Sequence, residues 1–284
     1  MKYDIMLCGR IIRAWRRRSV LGFSRLLLYN VWLIATGKYS EISHAFDQSF
    51  DRIFNVETAG TEEPKFLTAE EALKTHAKGY EPVTKEHMEA LLGMLPRLDF
   101  TDFIFLDFGS GKGRALFVAA EHPFRQIIGV EYSRELHEIA MRNVHTYRNP
   151  SQRCFNITPV RADASTFSLP EFPTICFMNN PYDETLVAKT AKHINQSIRS
   201  APRPFFIIYL NAYYTEPFDT TTYGWPRICC GSLGKSPYVI WQWAGKDSKS
   251  EGIGSEGIGS YGRGRGRIGQ YSIDRRFRSS SRTP

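Results

Sequence analysis

From residue 103 onward the 284-residue chain alternates two hydrophobic patterns. Mostly apolar runs of five or six residues occupy 103–108, 126–131 (Q-I-I-G-V-E), 157–161, 174–179 (T-I-C-F-M-N) and 205–210 (F-F-I-I-Y-L). Runs this short, with few polar interruptions, read as strands buried on both faces. Between them apolar positions recur every three to four residues, which predicts helices over 111–121, 133–147 and 183–198. Two later runs, 227–230 and 238–243, read as antiparallel edge strands. Upstream, K-E-H-M-E-A-L-L-G-M-L places Met88, Leu91, Leu92 and Leu95 on one helical face, with Pro96 as the expected stop. Repeated strand–helix units of this kind predict an α/β domain: an open, mostly parallel sheet with helices on both faces. In such a sheet a ligand sits at the carboxyl ends of the strands.

The two ends break the pattern. Residues 1–40 form a basic, apolar-rich arm that predicts an amphipathic helix. It either packs on the domain or meets a membrane surface or acidic partner. Residues 41–79 read as a partly ordered connector, with a short helix starting near Thr68 at T-A-E-E. The α/β domain then runs over 80–244. Residues 245–284 carry a direct E-G-I-G-S repeat and R-G-R-G-R, a Gly/Ser/Arg composition that predicts a disordered tail.

Charge follows the same division. The arm holds eight Lys and Arg against one acid, and the tail nine against four. With a net charge of +8, residues 41–244 are left at −4. Contact with RNA or an anionic membrane is therefore an expectation for the ends and not for the domain. The five cysteines have no C-x-x-C spacing, no zinc-like pattern flanks them, and no metal is expected. With no secretory pattern at the N-terminus, they point to a cytoplasmic protein, peripheral to a membrane if the arm binds one.

The candidate chemistry begins where the first strand ends. F-I-F-L-D-F-G-S-G-K-G-R puts Asp107 two residues before Gly109, with Gly111 and Gly113 on alternate positions. A strand, a glycine turn and a helix start let backbone N–H groups face a ligand. A dinucleotide loop wants G-x-G-x-x-G, and its third glycine position is Arg114 here. The spacing suits instead a nucleoside ligand with a sulfonium and an amino acid tail, whose positive end Asp107 would neutralise. Glu131 ends the second strand, where two carboxylate oxygens match a vicinal diol. Asp163 follows the third, within reach of an adenine amino group.

Residues 80–243 resemble class I S-adenosylmethionine-dependent methyltransferases, which are Rossmann-like. D-F-G-S-G-K-G matches the family's acid and glycine loop, Glu131 its ribose acid and R-A-D-A its adenine-side acid. Y-E-P-V, G-S-G-K-G-R and A-A-E-H resemble a branch that includes some protein lysine methyltransferases. The resemblance implies a seven-stranded sheet with one antiparallel edge strand and S-adenosyl-L-methionine as cofactor. It implies cofactor contacts from Asp107, Gly109, Ser110, Gly111, Gly113, Glu131 and Asp163, with Tyr80 closing over them. Methyl transfer would be in-line, from sulfonium to nucleophile.

After the fourth strand stand Asn179, Asn180, Pro181 and Tyr182. Amino-group methyltransferases of the superfamily carry N-P-P-Y there, with the Asn side chain and a proline carbonyl accepting from a planar amine under an aromatic ring. Here Asn180 replaces a proline. The same residues also suit a polar turn opening the helix at Asp183. Tyr209, Asn211, Tyr213 and Tyr214 follow the fifth strand and would either line an acceptor pocket, holding an alkylammonium by cation–π contact or stacking a base, or pack the sheet edge. The expected function is methylation of a nitrogen, with a protein side chain favoured. The alternative is a non-catalytic methyltransferase-like binding module localised by its basic ends.

Overall fold

The predicted apolar runs pair into one sheet. In a computed structural model the described residues are 48–62, 79–219 and 225–243. The arm, the helix expected near Thr68 and the tail lie outside them. The strands are β1 (Ile104–Phe108), β2 (Gln126–Glu131), β3 (Ile157–Arg161), β4 (Thr174–Asn179), β5 (Phe205–Leu210), β6 (Arg227–Leu233) and β7 (Ser236–Gln242). Their order is β3-β2-β1-β4-β5-β7-β6. Strands β1 to β5 pair in parallel, and β7 runs antiparallel to both its neighbours.

That order corrects one expectation. β7 is the only reversed strand of the sheet, and it lies inside the sheet while β6 takes the edge. Burial decides this. Tyr238, Val239, Ile240 and Trp241 of β7 are buried, whereas β6 is largely exposed. The two join through a tight turn at Gly234, whose φ of +65° suits a glycine.

The helices are α1 (Lys85–Leu92), α2 (Arg114–Ala119), α3 (Arg134–Thr146), α4 (Glu184–Ser200) and the short α5 (Glu216–Asp219). Along β1 side chains alternate between two cores. Phe103 and Phe105 join the core under α1 and α2, and Ile104, Leu106 and Phe108 join the one under α4. Helix α1 stops at Gly93, three residues before Pro96, so Pro96 is not its terminator. Among the described residues no helix is long and apolar enough to cross a membrane.

Candidate functional site

The sheet's carboxyl ends gather the site. Gly109, Gly111 and Gly113 all have positive φ, and the chain becomes helical only at Arg114. The loop is thus three residues longer than the predicted helix start at 111 implies. Two of these glycines also make room for neighbours. A Cβ on Gly109 would lie 2.4 Å from Pro181 Cβ, and one on Gly111 would lie 2.2 Å from Tyr80 Cδ2. A third glycine, Gly129 of β2, sits opposite Asp107, and a Cβ there would lie 2.8 Å from Ser110 Oγ. Sequence reasoning passed over Gly129, although a lone glycine inside an apolar strand often marks such close approach.

Two carboxylates face this loop. Asp107 is 2% exposed and Glu131 4%. Glu131 Oε2 accepts from the Gly111 N–H (2.9 Å) and Oε1 from the Ser133 N–H (2.8 Å), which ties the loop to the start of α3. Ser133 caps α3 by accepting from Leu136 N. Burial raises the Glu131 pKa against these hydrogen bonds. Burial, then the Glu131 charge, pushes Asp107 well above the usual carboxylate range. The site therefore holds two desolvated acids with no cation among the causes of either shift.

The loop's own cations are occupied elsewhere. A helical stretch at 48–54 and the chain to 62 strap across it. Arg114 is buried, donates from Nε to Thr58 Oγ1, places Nη2 3.3 Å from Asp51 Oδ1 and stacks over Phe50 with its guanidinium carbon 4.1 Å from the ring centre. Asp51 in turn accepts from the N–H groups of Thr58 and Ala59 and from Thr58 Oγ1. Lys112 Nζ meets Glu62 Oε1 at 3.0 Å and the Ala59 carbonyl at 3.2 Å. Buried Asn143 of α3 clamps both layers. Its Nδ2 donates to the Glu57 and Lys112 carbonyls, and its Oδ1 accepts from Glu57 N. Residues 48–62, within the stretch read as a connector, are thus part of the site's frame. Asn143 carried a signal, since it falls at helical spacing with Leu136 and Ala140 on the buried face.

Tyr80 follows the strap. It bridges to Glu62, donates its hydroxyl to the Thr58 carbonyl (2.6 Å) and lays its ring on Gly111. Two clefts open on either side of it. The larger, about 450 Å3 including space open to solvent, is lined by Tyr80, Gly111, Glu131, Tyr132, Leu136 and Tyr182 among others. The smaller, about 250 Å3 on the same basis, reaches Asp107, Ser110 and Arg114. Gly109 and Asn179 line both. Ser110 Oγ is buried there with no hydrogen-bond partner among the described residues.

At the ends of β4 and β5 the asparagines interlock. Asn179 Nδ2 donates to the Glu81 carbonyl (3.2 Å), and its Oδ1 accepts from Asn211 Nδ2 (2.8 Å). Asn180 turns away, and its Oδ1 accepts from the Tyr209 hydroxyl (3.3 Å). Pro181 packs on the glycine loop, and Tyr182 is buried with its phenol pushed up by burial first and then by Glu131, Asp163 and Asp107. Asp183 caps α4 through Leu186 N, so the segment opens a helix and lines the clefts at once. Tyr209 is buried and Tyr213 is 63% exposed. Asp163 reaches the site only through its charge on Tyr182. Its Oδ1 accepts from Ser165 N (2.8 Å) in its own loop, and it lines neither cleft. Tyr132 and Leu136 line the larger cleft without having been singled out in the sequence.

The sheet order, the single reversed strand and the glycine loop after β1 agree with the architecture that the resemblance implies. The fold is that of class I methyltransferases. No family model matches the chain, and no curated protein does. Solved structures align to it at low identity. A chain from Listeria monocytogenes described as a predicted N6-adenine-specific DNA methylase aligns at 17% identity and TM-score 0.44, over 58% of this chain and 52% of its own. This chain thus spans about half the length of that one. A putative methyltransferase from Escherichia coli aligns at 17% and 0.46, over 59% and 90%. A precorrin-6y C5,15-methyltransferase from Geobacter metallireducens aligns at 16% and 0.42, over 64% and 94%. Likeness at this level leaves both the activity and the acceptor open.

Proposed function

We propose that this protein is an S-adenosylmethionine-dependent methyltransferase that methylates a nitrogen, with an amine of a protein side chain as the favoured acceptor. One observation carries the reading. Asp107 and Glu131, both buried and without a cationic partner among the described residues, face a loop in which a side chain at Gly109 or Gly111 would collide with its neighbours. Two such acids disfavour a pyrophosphate and favour a cationic nucleoside. The residues fit the cofactor. Glu131 keeps lone pairs for a diol, and Ser110 Oγ is buried with no hydrogen-bond partner among the described residues. When bound, S-adenosylmethionine supplies a methyl group on a sulfonium. The chain's own residues supply orientation and exclusion of water.

The acceptor side rests on Asn179, which lines both clefts, with Tyr182 beside it. A second reading, a binding module without catalysis, draws on Asn180 in place of proline and on an Asn179 carboxamide already engaged at both ends. Two measurements separate the readings. Calorimetry should show S-adenosylhomocysteine binding, and no binding would refute both. A cell lysate incubated with methyl-labelled S-adenosylmethionine should yield labelled protein in alkali-stable linkage. Binding without any labelled product would leave the second reading.

A further inference from the structure

The ends of β4 and β5 hold an arrangement that goes beyond cofactor binding. Among the described residues only Asn55, Asn180 and Asn211 combine a side chain with positive φ. Two of the three, Asn180 (φ +42°) and Asn211 (φ +52°), stand at neighbouring strand ends. Left-handed backbone at a non-glycine residue costs free energy and persists where the surroundings over-determine it. Here each is held by a side chain of the neighbouring strand. Asn211 Nδ2 reaches Asn179 Oδ1 at 2.8 Å, and the Tyr209 hydroxyl reaches Asn180 Oδ1 at 3.3 Å.

The first contact settles which way the Asn179 carboxamide faces. Its oxygen takes the Asn211 donor and its nitrogen gives to the Glu81 carbonyl. A flipped amide would set N–H against N–H and oxygen against oxygen, losing both bonds. A carboxamide oxygen has two lone pairs, and Asn211 uses one. The other can accept only from a donor, so a nitrogen bearing N–H is received and a bare acceptor is not.

Building on the methyltransferase reading above, we propose that Asn211 is a positioning residue that holds the Asn179 carboxamide with its oxygen free to accept an N–H of the methyl-accepting nitrogen. Asn211 lines neither cleft, so it acts through Asn179 and not on the cofactor. The specificity it confers is for amino or amide nitrogen over oxygen or sulfur nucleophiles that carry no hydrogen when they attack.

Two substitutions keep the left-handed backbone comfortable. Asn211→Gly removes the donor and relaxes φ. Asn211→Asp keeps the shape but puts an acceptor against the Asn179 oxygen, turning the amide over. Labelled-lysate transfer should fall roughly tenfold in the Gly variant and about 100-fold in the Asp variant, as expected for a misplaced reacting group. The loss should be in turnover, with KM for S-adenosylmethionine and affinity for S-adenosylhomocysteine unchanged within twofold. Independently of activity, nitrogen-15 spectra should show the Asn179 side-chain amide resonances shifted in the Asp variant, because the amide's donor leaves the Glu81 carbonyl for the introduced carboxylate. An active wild type with unchanged Asn211 variants overturns the positioning role alone. A wild type that binds the homocysteine product yet labels nothing overturns both it and the catalytic reading.

Discussion

Gly111→Ala tests the frame of the cofactor site most directly, because two costs can be separated. The first is backbone. Gly111 has φ +54°, where an L-residue pays about 1–2 kcal/mol. The second is steric. The new Cβ would lie 2.2 Å from Tyr80 Cδ2 and 2.4 Å from Cε2, against a normal carbon contact of roughly 3.5–4.0 Å. The ring must therefore move by more than about 1 Å. It is not free to move. Its hydroxyl donates to the Thr58 carbonyl at 2.6 Å, and its backbone N–H and C=O both pair with Glu62. Overpacking costs about 1–3 kcal/mol, and losing the hydroxyl bond about 0.5–1.5. The total is about 2.5–6.5 kcal/mol, a large share of a domain's stability of about 5–15. Urea unfolding of wild type, Gly111→Ala, Tyr80→Ala and the double variant closes a cycle. Tyr80→Ala removes the clash but not the backbone cost. The alanine at 111 should then cost only ~1–2 kcal/mol in the Tyr80→Ala background. An equal cost in both backgrounds would refute the ring-on-glycine geometry.

Two further substitutions probe the charges. Asp107→Asn removes a buried acid whose folded pKa is raised, so wild-type stability is fully present only below the unfolded carboxyl pKa of about 4 and is lost as pH rises through the folded value. The variant escapes that loss. Its unfolding midpoint should exceed the wild type's at pH 7 and converge with it near pH 4, while S-adenosylmethionine raises its midpoint less; a flat difference across pH would contradict the assignment. Arg114→Met keeps the length of the side chain over Phe50 but strips the charge from Asp51. Asp51 retains three hydrogen bonds, so the cost should lie near 2–4 kcal/mol, toward the lower end of broken buried pairs. Hydrogen exchange should then speed first in 48–62 and not in β1 or β2, whereas uniform acceleration would show that the strap is not a separate layer.

Much of the sheet was legible because its information is local. The runs 126–131, 157–161, 174–179 and 205–210 are the observed strands to the residue; β2, β4 and β5 are buried and so write themselves as short apolar blocks, whereas the edge strand β3 is half-buried to exposed. The glycine loop was legible as a motif, but its length was not. Only the three positive φ values show that the helix waits until Arg114. What stayed hidden is non-local. Arg114 meets Thr58 across 56 residues, and Asn143 meets Glu57 across 86. No periodicity relates such positions. Arg114 was noticed for the glycine it replaces, while its partners lay in a stretch that reads as a connector. Asp163 shows a different limit. The sequence marks an acid after a strand but not its local bonding, and here an Asx turn to Ser165 N engages one of its oxygens.

Seen together, these contacts explain how a loop rich in cations could suit the cationic cofactor proposed for it. Lys112 and Arg114 flank the last glycine, and both are buried. Left uncompensated they would repel a sulfonium and attract a phosphate. The strap prevents this. Glu62 meets Lys112, and Asp51 meets Arg114. Asp107 and Glu131 are left over, and neither has a cation among the causes of its raised pKa. The sign of the site is therefore set by residues 50 and 63 positions upstream of the cations they meet. The strap must be in place before the pocket is acidic. A chain cut to begin at Gly79 would keep the glycine spacing and the sheet, but its loop would carry two unpaired cations and disfavour the ligand the motif advertises.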